Sequence, residues 1–135
     1  MFSEQEITYL KTQRLARIAT VSKDLQPDVA PVGFDFDGVY FYVGGFDLSR
    51  TLKYKNIQMN SKLSLVIDDL ETVDPWRPRG IKIHGIADLV THEGYAGPGT
   101  YIRIKPEGIW SWGIEEPTFK EGKPHLIKKT KAEWH

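Results

Sequence analysis

The chain has 135 residues, 18 Lys and Arg against 18 Asp and Glu, and no cysteine. That length predicts a single domain with a core of its own. The charge balance removes any general pull towards nucleic acid or a membrane surface. The missing thiols exclude disulfides, thiolate metal sites and a cysteine nucleophile. The opening Met1-Phe2-Ser3-Glu4-Gln5-Glu6 lacks the regions of a signal peptide, and no apolar run approaches the ~20 residues of a membrane span. A soluble cytoplasmic protein is expected.

Ser3, with Glu6 three residues on, fits a capping box that opens a helix to about Gln13, Ile7 and Leu10 facing inwards. Residues 15–21 read as a strand in which Ala16 and Ala19 allow close packing. Lys23-Asp24-Leu25-Gln26 is a turn, and 27–34 is the returning strand. Pro31 cannot donate to a ladder and demands an edge, a bulge or a break in pairing. Asp37-Gly38, between Phe36 and Val39, signals a type I′ hairpin. The apolar run Val39-Tyr40-Phe41-Tyr42-Val43 ends in Gly44-Gly45. A helix over about 50–59 follows, with Ser49 as N-cap and Leu52, Ile57 and Met59 as a buried stripe.

Residues 63–67 read as a buried strand and 68–74 as an acidic loop whose spacing matches no calcium loop, so no metal site is expected. Pro75-Trp76-Arg77-Pro78-Arg79 is a stiff loop. Residues 80–90 form the longest strand, with Ile81, Ile83, Ala87 and Leu89 on one face and Lys82, His84 and Asp88 on the other. A glycine- and proline-rich loop covers 94–99. The last strand, or pair of strands, covers 100–112 and is broken near Pro106-Glu107-Gly108. Residues 115–135 are polar and lysine-rich, a mobile tail or an arm lying on a partner, which leaves 1–114 as the domain. Six strands and two helices predict a mainly β fold, a small closed or half-open barrel. Side chains fill the interior of such a barrel, so a ligand must lie outside it or between two copies.

A helix N-terminus offers unpaired N–H groups and the positive end of the macrodipole, which suits phosphate. Ser49, Arg50, Thr51 and Lys53 would add donors and charge there. The same residues equally fit a solvated amphipathic helix. The four histidines (His84, His92, His125, His135) are scattered, and His84 reads as a surface or interface residue. No nucleophile elbow, Walker or dinucleotide motif is present, so no catalytic residue can be named. Chemistry would have to come from a cofactor. Trp76, Arg77 and Arg79 between prolines suit the wall of a planar heterocycle, or an ordinary loop or dimer contact. Trp110 and Trp112 share one face of a strand. The barrel has little room inside for both, so they meet a partner chain or a ligand, or cap an open end.

Arg17-Ile18-Ala19-Thr20-Val21, Pro27-Asp28-Val29-Ala30-Pro31-Val32-Gly33-Phe34, Ser49-Arg50-Thr51-Leu52-Lys53 and Asn60-Ser61-Lys62-Leu63-Ser64-Leu65-Val66 follow one another in an order that carries a resemblance. So do Asp74-Pro75-Trp76-Arg77-Pro78-Arg79-Gly80, Arg103-Ile104-Lys105-Pro106 and Ser111-Trp112-Gly113. Over residues 3–114 the chain resembles the pyridoxamine 5′-phosphate oxidase-like family, and within it the small branch of F420-dependent oxidoreductases. The resemblance implies a six-stranded split β-barrel of the FMN-binding type and an obligate homodimer with cofactor sites at its interface. It implies that Arg50, Thr51 and Lys53, beside Ser49, hold the cofactor phosphate. Val29, Ala30, Pro31, Val32 and Gly33 would offer backbone groups along the ring edge, and Trp76, Arg77 and Arg79 of the second subunit would close the site. Many members carry Arg where this chain has Leu52, and Arg50 is expected to stand in.

The implied function is hydride transfer from reduced coenzyme F420 to an electron-poor conjugated small molecule. An FMN-binding oxidase or flavin reductase of the same fold is the alternative, and a non-catalytic flavin- or deazaflavin-binding protein is the third reading. No nucleic acid or membrane partner is expected. The Trp-rich strand and the Trp76 loop are too apolar for a monomer surface, so the protein should sediment as a dimer at micromolar concentration. A single-chain mass there would count against the dimer and the shared site alike.

Overall fold

In the computed structural model, which describes residues 1–130, α1 (Glu4–Thr12) leads into β1 (Leu15–Val21), β2 (Pro27–Gly33), β3 (Asp35–Phe36) and β4 (Phe41–Val43). A 3-10 turn (Leu48–Arg50) and α2 (Leu52–Met59) precede β5 (Lys62–Thr72), β6 (Arg77–Gly94) and β7 (Gly97–Trp112). The short strands β8 (Phe119–Lys120), β9 (Lys123–Pro124) and β10 (Ile127–Thr130) finish the described chain. Eight strands make one sheet in the order β2-β1-β5-β6-β7-β4-β3, with β10 also on β7, and all its pairings are antiparallel.

Strand alternation builds the core. Leu63, Leu65 and Ile67 of β5 and Ile81 and Ile83 of β6 turn inwards, where they meet Ile18, Phe41, Val43, Ile102, Ile104 and Ile109. Phe2 and Phe41 pack on Phe36, at centroid distances of 5.0 and 4.5 Å, and close one end. Pro31 lies on β2, an edge strand, as its missing N–H requires.

Several elements differ from the sequence reading. The stretch near Pro106 does not break the strand: His84 pairs with Gly108 and Gly85 with Pro106, so Glu107 is the extra residue of a bulge in a continuous β7. The expected 94–99 loop is only the turn Tyr95-Ala96, because Gly94 already pairs with Gly97. The acidic stretch is strand β5 up to Thr72. Cations on neighbouring strands make that possible: Arg17 meets Asp68 at 2.6 Å and Arg79 meets Asp69 at 2.8 Å. The Asp37-Gly38 hairpin forms, but as a longer connection than a type I′ turn. Asp37 Oδ1 accepts the N–H groups of Val39 (2.9 Å) and Tyr40 (2.7 Å), and only Gly38 takes a positive φ, 101°. Leu89 lies on the predicted face but beyond the core, 36% exposed. In the main sheet the strands beyond the expected six are the two-residue β3 and the four-residue β10, and β8 and β9 form a second, two-stranded sheet. No helix among the described residues is long and apolar enough to cross a membrane.

The stretch expected to be a mobile tail is folded over 115–130: β8 and β9 form a hairpin, and β10 pairs with Gly108–Ser111 of β7. Residues 131–135 of that expected tail lie outside the described residues. A buried charge anchors β10. Glu6 closes the predicted capping box, accepting the Ser3 N–H at 2.8 Å, and also accepts from Lys129 Nζ at 2.9 Å while fully buried. Burial pushes its carboxyl up, but the Ser3 N–H and the Lys129 ammonium outweigh that and hold it below the usual carboxylate value.

Lys129→Met strands this carboxylate and should lower the unfolding free energy by about 2 kcal/mol in urea titrations. An unchanged midpoint would mean that β10 is not anchored. Since the folded pKa of Glu6 is depressed, its contribution is present above the unfolded value and lost as pH falls through the folded one. The unmodified protein should therefore lose stability more steeply than Glu6→Gln as pH falls below about 5.

Candidate functional site

β4 ends in the buried Gly44, where a Cβ would lie 2.4 Å from the Tyr101 ring, so only glycine fits. The chain then passes Gly45, with φ of 143°, and enters the 3-10 turn on the buried Leu48. Thr51, not Ser49, is the N-cap of α2. Its backbone is extended, and its Oγ1 accepts from the Tyr54 N–H at 3.4 Å and donates to the Leu48 carbonyl at 2.6 Å. The helix starts later than predicted because 48–50 close their own 3-10 turn, which leaves Ser49 and Arg50 exposed. The predicted apolar stripe also changes. Ile57 is buried, whereas Leu52 and Met59 are 51% and 66% exposed. Asn56 takes the inward place and donates to Thr20 Oγ1 at 3.0 Å, fixing α2 against β1.

Lys53 stands in the first turn of α2, half-buried, and forms no ion pair among the described residues. Loss of water lowers its pKa, and the Asp28 charge on β2 restores only part of that. Asp28 lies on β2, whose outer edge is open. On that edge Val29 is 66% exposed, Pro31 is exposed, Ala30 is half-buried and Val32 is buried. Pro31 has no N–H to give its pair Arg17, so it suits a non-bonded position of the ladder. Alternation then turns the backbone groups of Val29 and Gly33 outwards as well.

Tyr95 links the end of β2 to the end of β4, and the sequence reading missed it. Its phenol accepts the Gly44 N–H at 2.8 Å and donates to the Gly44 carbonyl at 3.0 Å. Its ring leaves no room for a side chain at Gly33, where a Cβ would be 2.8 Å away. A lone tyrosine in a glycine-rich turn was the available signal. Within one protomer Tyr95 thus links Gly33 at the end of β2 to Gly44, ahead of the 3-10 turn.

The 76–79 segment sits elsewhere. Trp76, 59% exposed in the turn before β6, and Arg77 line a separate cavity of about 580 Å³ with residues 113–119. Arg79 is committed to Asp69 through two hydrogen bonds of 2.8 and 3.0 Å, and Tyr9 donates to the same carboxylate at 2.9 Å. Trp110 and Trp112 both lie on the outer face of β7 with the buried Ser111 turned inwards between them. Trp110 packs under Lys82 Nζ at 4.5 Å and beside His84 at 4.5 Å. His84 borders a hollow of about 630 Å³ on the outside of the sheet; burial, then Lys82, lowers its pKa.

The family described as pyridoxamine 5′-phosphate oxidase matches residues 2–113. The chain belongs to this family. It is similar to 5a,11a-dehydrotetracycline/5a,11a-dehydrooxytetracycline reductase of Streptomyces rimosus, 35% identical over 120 residues, 84% of each chain. With that reductase as a relative, the family member described here is an oxidoreductase. In fold it is similar to a conserved hypothetical protein from Mycobacterium tuberculosis (TM-score 0.68, 22% identity, covering 94% of this chain and 92% of that one). It is also similar to a structure described as an F420 reductase (TM-score 0.57, 19% identity, covering 72% and 89%).

The capping geometry separates two hydroxyls that look alike in the sequence. Thr51→Ala should cost about 1 kcal/mol of stability, and Ser49→Ala nothing measurable, in thermal or urea unfolding. Equal losses would put the cap back at Ser49.

Proposed function

We propose that this chain is an F420-dependent reductase, acting as a homodimer on a conjugated small organic acceptor. The carrying observation is Lys53: a half-buried cation in the first turn of α2, without an ion pair among the described residues and disfavoured in its charged state. A phosphate placed there would restore the lost stabilisation of that charge, aided by the free N–H groups of the helix start. Arg50 and Ser49 lie exposed alongside and are free to turn towards it. Thr51 serves by capping the helix, its hydroxyl being already engaged. The residues present fit the phosphate end of the cofactor.

The open edge of β2 supports the ring end. Val29, Pro31 and Gly33 offer outward backbone groups to the polar rim of a flat heterocycle, whereas Ala30 and Val32 hold the strand to β1 and to the core. F420, when reduced, supplies the hydride. The protein's share is to bind the phosphate, leave one ring face open and orient the acceptor; proximity alone can supply roughly 7–11 kcal/mol of the barrier. Trp76 and Arg77 of the second subunit would close over that face, with Arg79 stiffening their turn through Asp69. Apolar surface at Leu15, Val29, Leu52 and Trp76, each at least half exposed in the protomer, supports burial in a dimer. FMN would place its phosphate on the same lysine. The choice of F420 rests on the tetracycline-type reductase at 35% identity and on the likeness to an F420 reductase.

Lys53→Ala should weaken F420 binding by roughly ten- to a hundredfold in a fluorescence titration, the worth of a contact to a charged group. It should leave the apo protein equally or slightly more stable, because burial and the helix N-terminus both oppose the charge. Arg50→Ala tests whether this side chain stands in for the arginine that Leu52 replaces. Unchanged affinity in both variants would remove the phosphate from this helix, and tight binding of FMN alone in a parallel titration would exchange the cofactor.

A further inference from the structure

The cavity of about 580 Å³ beside β6 has two walls of different origin. One is the β5–β6 turn, with Pro75, Trp76 and Arg77. The other is the segment after β7, with Pro117 and Phe119. Each wall presents a large ring to solvent, Trp76 being 59% and Phe119 48% exposed. Both walls are tied down: the Thr72 hydroxyl donates to the Pro75 carbonyl, and the Thr118 hydroxyl donates to the Pro78 carbonyl at the start of β6. The cleft is therefore preformed, apolar on its flanks and of a size that takes a drug-sized ligand.

Its charges decide which ligand. Glu71, Glu115 and Glu116 line it with Arg77, and two of these carboxylates have basic neighbours, Glu71 in Arg77 and Arg79 at 3.7 Å and Glu116 in Lys120 and the His125 imidazole. Arg77 is only loosely held, 3.7 Å from Glu71, whereas Arg79 is locked to Asp69 at 2.8 Å. It is free to meet one anionic oxygen. The match to the family model ends at residue 113, ahead of the second wall.

We infer that this cleft binds the acceptor, a planar fused-ring conjugated molecule that lies between Trp76 and Phe119 with an enolate or phenolate oxygen on Arg77. The inference rests on the reductase reading in taking the ligand to be the hydride acceptor. The test is calorimetric titration of the full chain with tetracycline, the reduced counterpart of a 5a,11a-dehydrotetracycline, and separately with F420. Tetracycline should bind, and Trp76→Ala and Phe119→Ala should each weaken it about tenfold, the scale of a lost aromatic contact plus its buried area. Phe119→Ala should leave F420 affinity within about twofold, and Lys53→Ala should do the reverse, weakening F420 and sparing tetracycline. Absence of tetracycline binding at about 1 mM would overturn the inference. So would binding indifferent to both aromatic substitutions, or a Phe119→Ala loss as large for F420 as for tetracycline. If F420 fails to bind while tetracycline still binds through Phe119, the cleft stands and the cofactor reading falls.

Discussion

One strand has to satisfy three others. β7 pairs along one side with β6 over nearly its whole length. Along its other side, Ile102–Ile104 meet β4 and Gly108–Ser111 meet β10. The extra residue at Glu107 falls between these two stretches and adds local twist where the partner changes. The bend lets one sheet curl around a core of isoleucines with few exposed edges. It also leaves β2 as an open edge, where Pro31 costs no ladder hydrogen bond.

The candidate site follows from that geometry. β4 is released from β7 at Gly44, where the Tyr101 ring takes the space a side chain would need, and the chain turns into α2 across β1. The β6–β7 turn then sends Tyr95 back to Gly44 and Gly33 at once. The end of β2 and the end of β4 are held together by one phenol.

Basic residues that look interchangeable take different parts. Arg79 spends its guanidinium on Asp69 under Tyr9, and Lys129 reaches inwards to Glu6. Both are structural. Lys53 is taken partly out of water with no carboxylate in contact, and Arg77 keeps only a long contact with Glu71. A cation without a close partner is one that a ligand could satisfy.

Local patterns carried much of this architecture in the sequence itself. The Ser3–Glu6 capping box, the alternation along β1, β5 and β6, the proline on an edge and the order of segments that marks the family all depend on neighbours a few residues away. Trp110 and Trp112 were legible as sharing a face because a strand repeats every second residue. Tertiary structure decided what depended on partners distant in sequence. The carboxylates of 68–71 read as a loop until Arg17 and Arg79 lay beside them, and the lysine-rich end read as a tail until Lys129 found Glu6, 123 residues away. Ser49 and Thr51 offered the same hydroxyl chemistry, and only the 3-10 turn seated on Leu48 determined which of them caps the helix. Desolvation, which sets Lys53 apart from the other lysines, depends on everything packed around a group. No string of neighbouring residues contains it.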